Sequence, residues 1–250
     1  MKKFANKTAY VTGGAGGIGK VVSLGLAKEG MDVAIVDVDL EGARRVSKEI
    51  EEMGRRSLAI QCDVTSEESV QKMVDTIVSE WGKIDIAFNN AGIADNTAAT
   101  DMEYAAWRRL MDINLNGVFL CCRAAGRQMI AQKSGVIINT ASMSGSVVNV
   151  PQPQCSYNAS KAAVIMLTKS LAVEWAPHNV RVNSLSPGYI GTEMTVAAPE
   201  EWKSVWTAMT PQRRMGTPEE LVGAVLYLAD DASSFTTGMD LMVDGGYSCV

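Results

Sequence analysis

The stretch TAYVTGGAGGIG, residues 8–19, decides the fold. An apolar run over residues 8–12 predicts a strand, and a helical pattern begins at Ile18. The glycines between them let the chain turn sharply and let a ligand approach the backbone closely. A helix that starts at such a turn presents free backbone N–H groups and a partial positive charge. Flexible loops also collect glycine, but the flanking strand and helix favour a phosphate-binding loop.

Apolar runs and amphipathic helical stretches alternate along the whole chain. The predicted strands cover residues 8–12, 32–36, 57–61, 84–88, 136–139, 181–186 and 241–243. The clearest predicted helices cover residues 18–29, 41–53, about 103–132 and 157–175. Strand–helix alternation is typical of parallel strands joined by helical crossovers. We therefore predict an α/β, doubly wound Rossmann fold with a single parallel seven-stranded sheet and helices on both faces, forming one domain over residues 1–250.

The composition argues against several classes of protein. Lys+Arg 23 and Asp+Glu 28 give a net charge of -5 without a block of like charges, so we expect no nucleic-acid partner. We expect no membrane span, because uninterrupted apolar runs stay short. The chain has only one histidine, His178, so we expect no metal site built on several imidazoles. His178 lies in a turn-like sequence and is expected to be an exposed loop residue. The five cysteines lack CxxC spacing, which favours reduced thiols in a cytoplasmic protein.

The ends of the strands are the positions to inspect, because ligands of parallel α/β sheets bind there. Asp37 ends the second strand, and its carboxylate can accept hydrogen bonds from ribose hydroxyls and repel a 2′-phosphate. Arg44 and Arg45 lie nearby in a helix and are expected to face solvent. NAD is therefore the predicted cofactor, with NADP less favoured. Asp63 ends the third strand and is expected either to line the adenine side or to serve as a turn residue.

Tyr157 and Lys161 are four residues apart, so they share a face of the predicted helix. An ammonium beside a phenol favours the phenolate and lowers the pKa of the tyrosine toward a range useful for proton transfer. Ser142, at the end of the fifth strand, could hold the substrate oxygen. Taken alone, this tyrosine–lysine spacing is common on plain helix surfaces. Its position after the fifth strand favours a catalytic role.

Together these features resemble the short-chain dehydrogenase/reductase family, in its compact single-domain branch. The motifs that carry the resemblance are Thr12-Gly13-x-x-x-Gly17-x-Gly19, Asn89-Asn90-Ala91-Gly92, Asn114, Ser142, Tyr157-x-x-x-Lys161 and Pro187-Gly188. They span nearly the whole chain in the order and spacing of the family.

The resemblance implies a role for each catalytic position. Tyr157 would act as general acid/base, and Ser142 would orient the substrate carbonyl or hydroxyl. Lys161 would lower the pKa of Tyr157 and hold the nicotinamide ribose. Asn114, favoured over the neighbouring Asn116 by the family spacing, would support a water that links Lys161 to solvent.

The resemblance and the strand-end positions together define a cofactor-binding set. Its members are Gly13, Gly17, Ile18, Gly19, Asp37, Asp63, Val64, Asn90, Gly92, Tyr157, Lys161, Pro187, Ile190 and Thr192. Residues from about 193 to 209 match a mobile segment that covers the substrate. The ending Asp244-Gly245-Gly246-Tyr247 fits a family tail that often meets a neighbouring subunit, so we expect a homo-oligomer, most simply a tetramer.

The stretch MSGSVVNVPQPQCS, residues 143–156, resembles the sugar-alcohol dehydrogenases and ketose reductases of the family. Its amides suit a substrate with several hydroxyl groups, and a site built to bond hydroxyls rejects analogues that lack them. The predicted substrate-binding residues are Ser142, Ser144, Asn149, Gln152, Gln154 and Tyr157. The alternative is a structural loop whose amides satisfy only backbone groups.

The resulting functional prediction is an NAD-dependent oxidoreductase that interconverts a secondary alcohol and a ketone, with a sugar alcohol and its ketose as the favoured pair. A 3-oxoacyl-thioester reductase, or a reductase of small diketones or acetoin, would use the same residues. A non-catalytic dinucleotide-sensing protein is a more distant alternative, because such a protein needs no intact set of Ser142, Tyr157 and Lys161.

Overall fold

One parallel sheet with helices on both faces organises the protein, which a computed structural model describes over residues 4–250. The strands are β1 Thr8–Thr12, β2 Asp32–Asp37, β3 Ser57–Gln61, β4 Ile86–Asn89, β5 Gly135–Thr140, β6 Val180–Pro187 and β7 Asp240–Val243. The helices are α1 Gly17–Lys28, α2 Leu40–Glu52, α3 Glu67–Trp81, α4 Tyr104–Met111, α5 Gly117–Gln132, α6 Cys155–Trp175, α7 Glu193–Val196, α8 Glu200–Met209 and α9 Glu219–Ala229.

The strand order is β3-β2-β1-β4-β5-β6-β7, and every pairing is parallel. The prediction of a doubly wound seven-stranded sheet is confirmed. The order reverses at β1, where Tyr10 pairs with Ala34 of β2 on one side and with Ala87 of β4 on the other. Crossovers on opposite faces diverge at this point and leave a crevice at the carboxyl ends of the strands.

Successive residues of β1 are buried in opposite faces of the sheet. Tyr10 packs in a cluster that contains Val70 of α3 and Val164 of α6. Val11 packs in a second cluster that contains Val22 of α1 and Leu221 of α9. Because both faces are covered, the central strands are mostly apolar, and each large apolar side chain buried in this way contributes about 1.5–3 kcal/mol.

The glycine loop between β1 and α1 presses directly against the end of β4. A Cβ atom at Gly19 would lie 2.0 Å from the backbone oxygen of Gly13 and 2.8 Å from Nδ2 of Asn90. Gly13 has a φ of 62°, a left-handed conformation that favours glycine. Thr12 Oγ1 accepts hydrogen bonds from the backbone N–H groups of Asn90 and Ala91 at 2.9 and 3.1 Å. The loop and the end of β4 are therefore joined into one unit.

The long helix expected over residues 103–132 is interrupted. A π-helical turn over Asp112–Asn116 separates α4 from α5. This turn puts Asn114 on the buried side, where none of its surface is exposed, and leaves Asn116 exposed. Residue periodicity does not reveal a single π turn, because one widened turn shifts the helical face without changing the polar–apolar pattern on either side.

Substitution of Gly19 by alanine should lower the free energy of unfolding by about 1–3 kcal/mol or more, because the added methyl group meets a backbone carbonyl that cannot move aside. Thermal or urea unfolding measures the loss. Gly16→Ala is the matched control: within the described part of the chain no atom lies within 4 Å of its added methyl group, and its φ of -156° is extended. Equal stabilities for the two variants would contradict this account of the loop.

Candidate active site

Two adjoining cavities follow the crevice at the carboxyl ends of the strands. They have volumes of about 700 and 460 Å³ and share Gly13, Asp37 and Gly92 in their walls. The predicted cofactor residues that line the smaller cavity are Gly13, Gly17, Ile18, Asp37, Asn90, Gly92, Tyr157, Lys161, Pro187, Ile190 and Thr192. Asp63 and Val64 line the larger one. Gly19 belongs to neither wall and acts through its packing on Gly13.

Lys161 and Tyr157 face the smaller cavity from the first turns of α6. Lys161 is 3% exposed, and its Nζ donates a hydrogen bond of 2.7 Å to the backbone oxygen of Thr140. Its Nζ lies 5.6 Å from the centre of the Tyr157 ring. Burial lowers the pKa of Lys161 to about 8, because a desolvated ammonium is costly.

The pKa of Tyr157 is raised, which is the opposite of the direction expected from its lysine neighbour. Burial is the largest cause, because the phenolate loses its hydration. A side-chain hydrogen bond with Ser142 acts in the lowering direction. Burial outweighs this contribution, so Tyr157 is a neutral phenol at neutral pH in the cofactor-free protein.

Ser142 lies directly after β5 and lines the same cavity. Its Oγ accepts a hydrogen bond from the backbone N–H of Ser144 and donates one to the Ser144 hydroxyl, both at 3.1 Å. The serine side chain is thus held by the short turn that follows the strand. Ser142, Tyr157 and Lys161 all reach one cavity, although they come from two separate elements.

Asn114 clamps the segment that follows β4. Its Oδ1 accepts from the backbone N–H of Ile93 and its Nδ2 donates to the backbone oxygen of Ile93, both at 2.9 Å. A Cβ atom at Gly92 would lie 3.3 Å from Asn114 Oδ1 and 3.6 Å from Lys161 Nζ, so the backbone at Gly92 lies between the two side chains. Asn116 instead bonds Asp112 at the surface.

Asp37 is held at the junction of the two cavities. One carboxylate oxygen accepts from the backbone N–H of Ala15 and the other from that of Asp39, both at 3.0 Å. The neighbouring cations are turned outward as expected: Arg44 pairs with Glu41, and Arg45 lies 3.7 Å from the carboxylate of Asp39. A negative charge therefore faces the crevice where a ribose would lie.

Asp63 uses one carboxylate oxygen for the backbone and side chain of Thr65, so it also stabilises the turn before α3. Two cations that the sequence reasoning missed, Arg108 and Arg109 of α4, line the larger cavity. Their signal was weak, since arginines on a helix usually face solvent.

Of the six predicted substrate-binding residues, Ser142 and Tyr157 line the smaller cavity, and the other four lie behind it. Ser144, Asn149 and Gln152 are 6, 3 and 5% exposed, and the walls of the two cavities, as formed by residues 4–250, include neither them nor Gln154. Gln154 Nε2 donates to Asn149 Oδ1 at 2.9 Å, and Gln152 Nε2 donates to Gln154 Oε1 at 2.9 Å. Their amides thus bond one another rather than a free surface.

Two aromatic residues complete this cluster, and the sequence reasoning missed both. Tyr189 Oη accepts from Gln152 Nε2 at 2.9 Å and from Asn149 Nδ2 at 3.2 Å. The ring of Trp206 stacks on that of Tyr189, with centres 4.2 Å apart. Tyr189 could have been noticed, because it follows directly after a strand end. Trp206 lies inside the expected covering segment, which forms α7 and α8.

The crevice fits a dinucleotide. Gly16 is the N-cap residue of α1, and as a glycine it provides no side chain to bond the first backbone N–H groups of the helix. Gly16 and Gly17 both line the smaller cavity. Backbone N–H groups at a helix start suit a diphosphate, and the missing side chains leave room for it. Asp37, at the end of the neighbouring strand β2, lies where its carboxylate could bond a ribose. Glu193 and Thr195 of α7 close the same wall from above.

Within residues 4–250, no three His, Cys, Asp or Glu side chains converge in a way that could hold a metal ion. In the same range, no helix combines the length and the apolar character needed to cross a bilayer.

Comparison with known proteins agrees with the arrangement of the site. Residues 13–248 match a family model described as Enoyl-(Acyl carrier protein) reductase. A short-chain type dehydrogenase/reductase from Mycobacterium marinum superposes with a TM-score of 0.96 at 46% identity, covering 99% of this chain and 98% of the other. The chain belongs to the short-chain dehydrogenase/reductase family. Members of this family are oxidoreductases, and the resemblance inferred from the motifs is confirmed.

Two relatives of the enzyme carry names that describe their reactions. A sorbose reductase of Candida albicans is 45% identical, covering 97% of this chain and 87% of its own. A probable NADP-dependent mannitol dehydrogenase of Yarrowia lipolytica is 42% identical, covering 100% of this chain and 91% of its own.

Replacement of Lys161 by methionine should stabilise the cofactor-free enzyme below pH 8 by up to about 3 kcal/mol and should lose that advantage as the pH rises. The pKa of Lys161 is about 8 in the folded state, against its ordinary 10.5, so below pH 8 the native state bears the full cost of a buried ammonium. Between those values the native lysine is neutral while the unfolded one keeps its proton, and wild-type stability rises with pH.

Urea unfolding of wild type and Lys161→Met across that range measures the difference. Lys169→Met, which removes an exposed lysine of the same helix, is the control. A stability difference that does not depend on pH would show that Lys161 is not desolvated as the structure indicates.

Proposed function

We propose that the protein is an NAD-dependent dehydrogenase of sugar alcohols that interconverts a secondary alcohol and the corresponding ketose. The observation that supports catalysis is the convergence of Ser142, Tyr157 and Lys161 on the cavity that begins at the glycine loop. The substrate class is supported by the names of the sorbose reductase and mannitol dehydrogenase relatives. An intact catalytic set in one cavity is not needed by a protein that only senses dinucleotides.

In this proposal each residue of the site has one role in the reaction. When bound, the nicotinamide ring accepts or supplies the hydride. The glycine loop and the start of α1 hold the diphosphate, Asp37 holds a ribose, and Ile190 with Thr192 contacts the carboxamide side. Tyr157 removes the hydroxyl proton in oxidation and returns it in reduction. Ser142 bonds the substrate oxygen, and Asn114 fixes the backbone beside Lys161.

Lys161 supports the tyrosine through its charge. Its pKa of about 8 means that the ammonium form predominates at neutral pH. A bound cofactor that excludes water strengthens the attraction between this ammonium and a phenolate on Tyr157. Lowering of the Tyr157 pKa by Lys161 is thus proposed for the loaded enzyme.

Purified enzyme should oxidise four- to six-carbon polyols with NAD faster than it oxidises simple secondary alcohols, as measured by the absorbance of the reduced nicotinamide. A 3-hydroxyacyl thioester and acetoin belong on the same plate, because the thioester and diketone reductases share the catalytic residues. Thioester turnover with NADP alone would overturn both the substrate and the cofactor assignment.

Tyr157→Phe supplies the mechanistic control. The loss of the proton-transfer group should reduce kcat by about 10²–10⁴-fold while the affinity for NADH stays measurable by fluorescence. Retained activity in this variant would exclude Tyr157 as the acid/base.

Asp37→Ser should raise the ratio of kcat/KM with NADP to that with NAD by about 10- to 100-fold, because the carboxylate that repels a 2′-phosphate is removed. Asp63→Asn removes a charge from the same crevice and is the control, since its carboxylate is turned toward Thr65. Equal ratios in wild type and Asp37→Ser would place cofactor selection elsewhere, with Arg108 and Arg109 as the next positions to test.

We also propose that the enzyme acts as a homo-oligomer in the cytoplasm. Large apolar side chains stand exposed on α6 and near β7, with Met166, Val173 and Phe235 at 60, 78 and 104%. Such a surface is typical of a subunit contact. The predicted tetramer can be checked by light scattering, where a monomeric mass would refute it. The five free cysteines suit a reducing compartment.

A further inference from the structure

Trp206 joins the covering segment to the body of the enzyme. It lies on α8 yet is only 4% exposed. Its indole Nε1 donates a hydrogen bond of 2.8 Å to Gln152 Oε1, and its ring lies nearly parallel to that of Tyr189, at an interplanar angle of 10°. A buried indole N–H needs a partner, so the position of α8 depends on the amide of Gln152.

From Gln152 a chain of hydrogen bonds leads to the catalytic serine. Gln152 Nε2 donates to Gln154 Oε1 at 2.9 Å, and Gln154 Nε2 donates to Ser144 Oγ at 3.2 Å. Ser142 Oγ then donates to Ser144 Oγ at 3.1 Å. We name Gln152, Gln154 and Ser144 the amide relay.

The direction of each bond in the relay follows from its neighbour. The indole can only donate, so Gln152 must present its oxygen to Trp206 and its amino group to Gln154. Gln154 then receives at its oxygen, and its Nε2 faces three acceptors, Ser144 Oγ at 3.2 Å, Asn149 Oδ1 at 2.9 Å and Asn158 Oδ1 at 2.8 Å. Gln152 and Ser144 are buried and Gln154 is half-buried, so a reversed amide would leave polar groups unpaired in a low dielectric, which is costly. The arrangement at one end therefore constrains the arrangement at the other.

We propose that the amide relay is a positioning network that couples the seating of α8 over the cavity to the orientation of the Ser142 hydroxyl. The serine is then held in its working position when Trp206 is docked. This role replaces the expected direct contact of Gln152 and Gln154 with substrate hydroxyls. The inference rests on the proposed function, because it assumes that Ser142 bonds the substrate oxygen.

Direct substrate binding and positioning differ in their kinetic effects. A side chain that binds the substrate equally in ground and transition states raises KM when it is removed. A side chain that positions Ser142 lowers kcat and leaves KM nearly unchanged, because the oxygen of the substrate is held less well in the transition state.

Trp206→Phe is the first variant, since it keeps an aromatic ring on Tyr189 and removes only the indole donor. With the alcohol that wild type oxidises fastest, we expect kcat to fall about 10- to 100-fold and KM to change less than about threefold. Trp202→Phe, on the same helix, should cause a clearly smaller loss. A rise in KM without loss of kcat in Trp206→Phe would overturn the proposal.

The pH dependence gives a readout that a general loss of structure would not move. Ser142 acts to lower the pKa of Tyr157, against the larger effect of burial. If docking of Trp206 holds Ser142, the acidic limb of the kcat profile for oxidation, along which Tyr157 must lose its proton, should shift to higher pH in Trp206→Phe. An unshifted profile would contradict the coupling.

Ser144→Ala interrupts the relay at its other end. If the relay works as a unit, the double variant Trp206→Phe/Ser144→Ala should lose little more kcat than the more impaired single variant. Losses that multiply would show two independent roles and overturn the proposal.

An NMR measurement without substrate tests the amide relay independently of the proposed function. The protein has 5 Trp, so the indole N–H resonances of the enzyme without substrate are few, and Trp206→Phe assigns one of them. The remaining resonances report whether that variant folds. Ser144→Ala should shift the Trp206 resonance or speed its exchange, even if no polyol is oxidised. A Trp206 resonance that Ser144→Ala leaves unchanged would refute the relay whatever the substrate proves to be.

Discussion

The close contact between the glycine loop and the end of β4 is the constraint on which the site depends. Gly19 leaves no room for a side chain against Gly13, and Thr12 binds the backbone of Asn90 and Ala91. This contact brings the start of α1 to the point where the strand order reverses. The glycine loop and the walls that carry Gly92 and Lys161 therefore share one rigid base, so the proposed dinucleotide site adjoins the proposed catalytic side chains.

The burial of Lys161 in the site lowers the free energy of unfolding of the enzyme. Burial of Lys161 lowers its pKa to about 8, and burial of Tyr157 raises the pKa of the phenol. Below pH 8 the native state holds the Lys161 ammonium at a cost in free energy, whereas Tyr157 is a neutral phenol at neutral pH and bears no such cost. The hydrogen bond from Lys161 to the backbone oxygen of Thr140 offsets part of that cost. Such groups are typical of functional sites, where selection for chemistry outweighs selection for stability.

The amides of the loop before α6 show how a correct family resemblance can still leave a role open. Asn149, Gln152 and Gln154 suit a polyol by their chemistry, but the structure turns Asn149 and Gln152 toward Tyr189 and Trp206, and Gln154 toward the other two amides. A pocket for hydroxyl groups and a buried polar network draw on the same residue types. Only burial and partners tell them apart.

The sequence by itself determined the doubly wound sheet, the glycine loop, Asp37 at the end of β2, and the spacing of Tyr157 and Lys161, because hydrophobic periodicity and turn chemistry are local. It could not determine the π turn that buries Asn114 and exposes Asn116, since one widened turn leaves the pattern intact. Nor could it show that burial governs the pKa of Tyr157, or that Trp206 meets Gln152. Those outcomes depend on which side chains the folded chain brings together across long stretches of sequence, and only tertiary packing decides that.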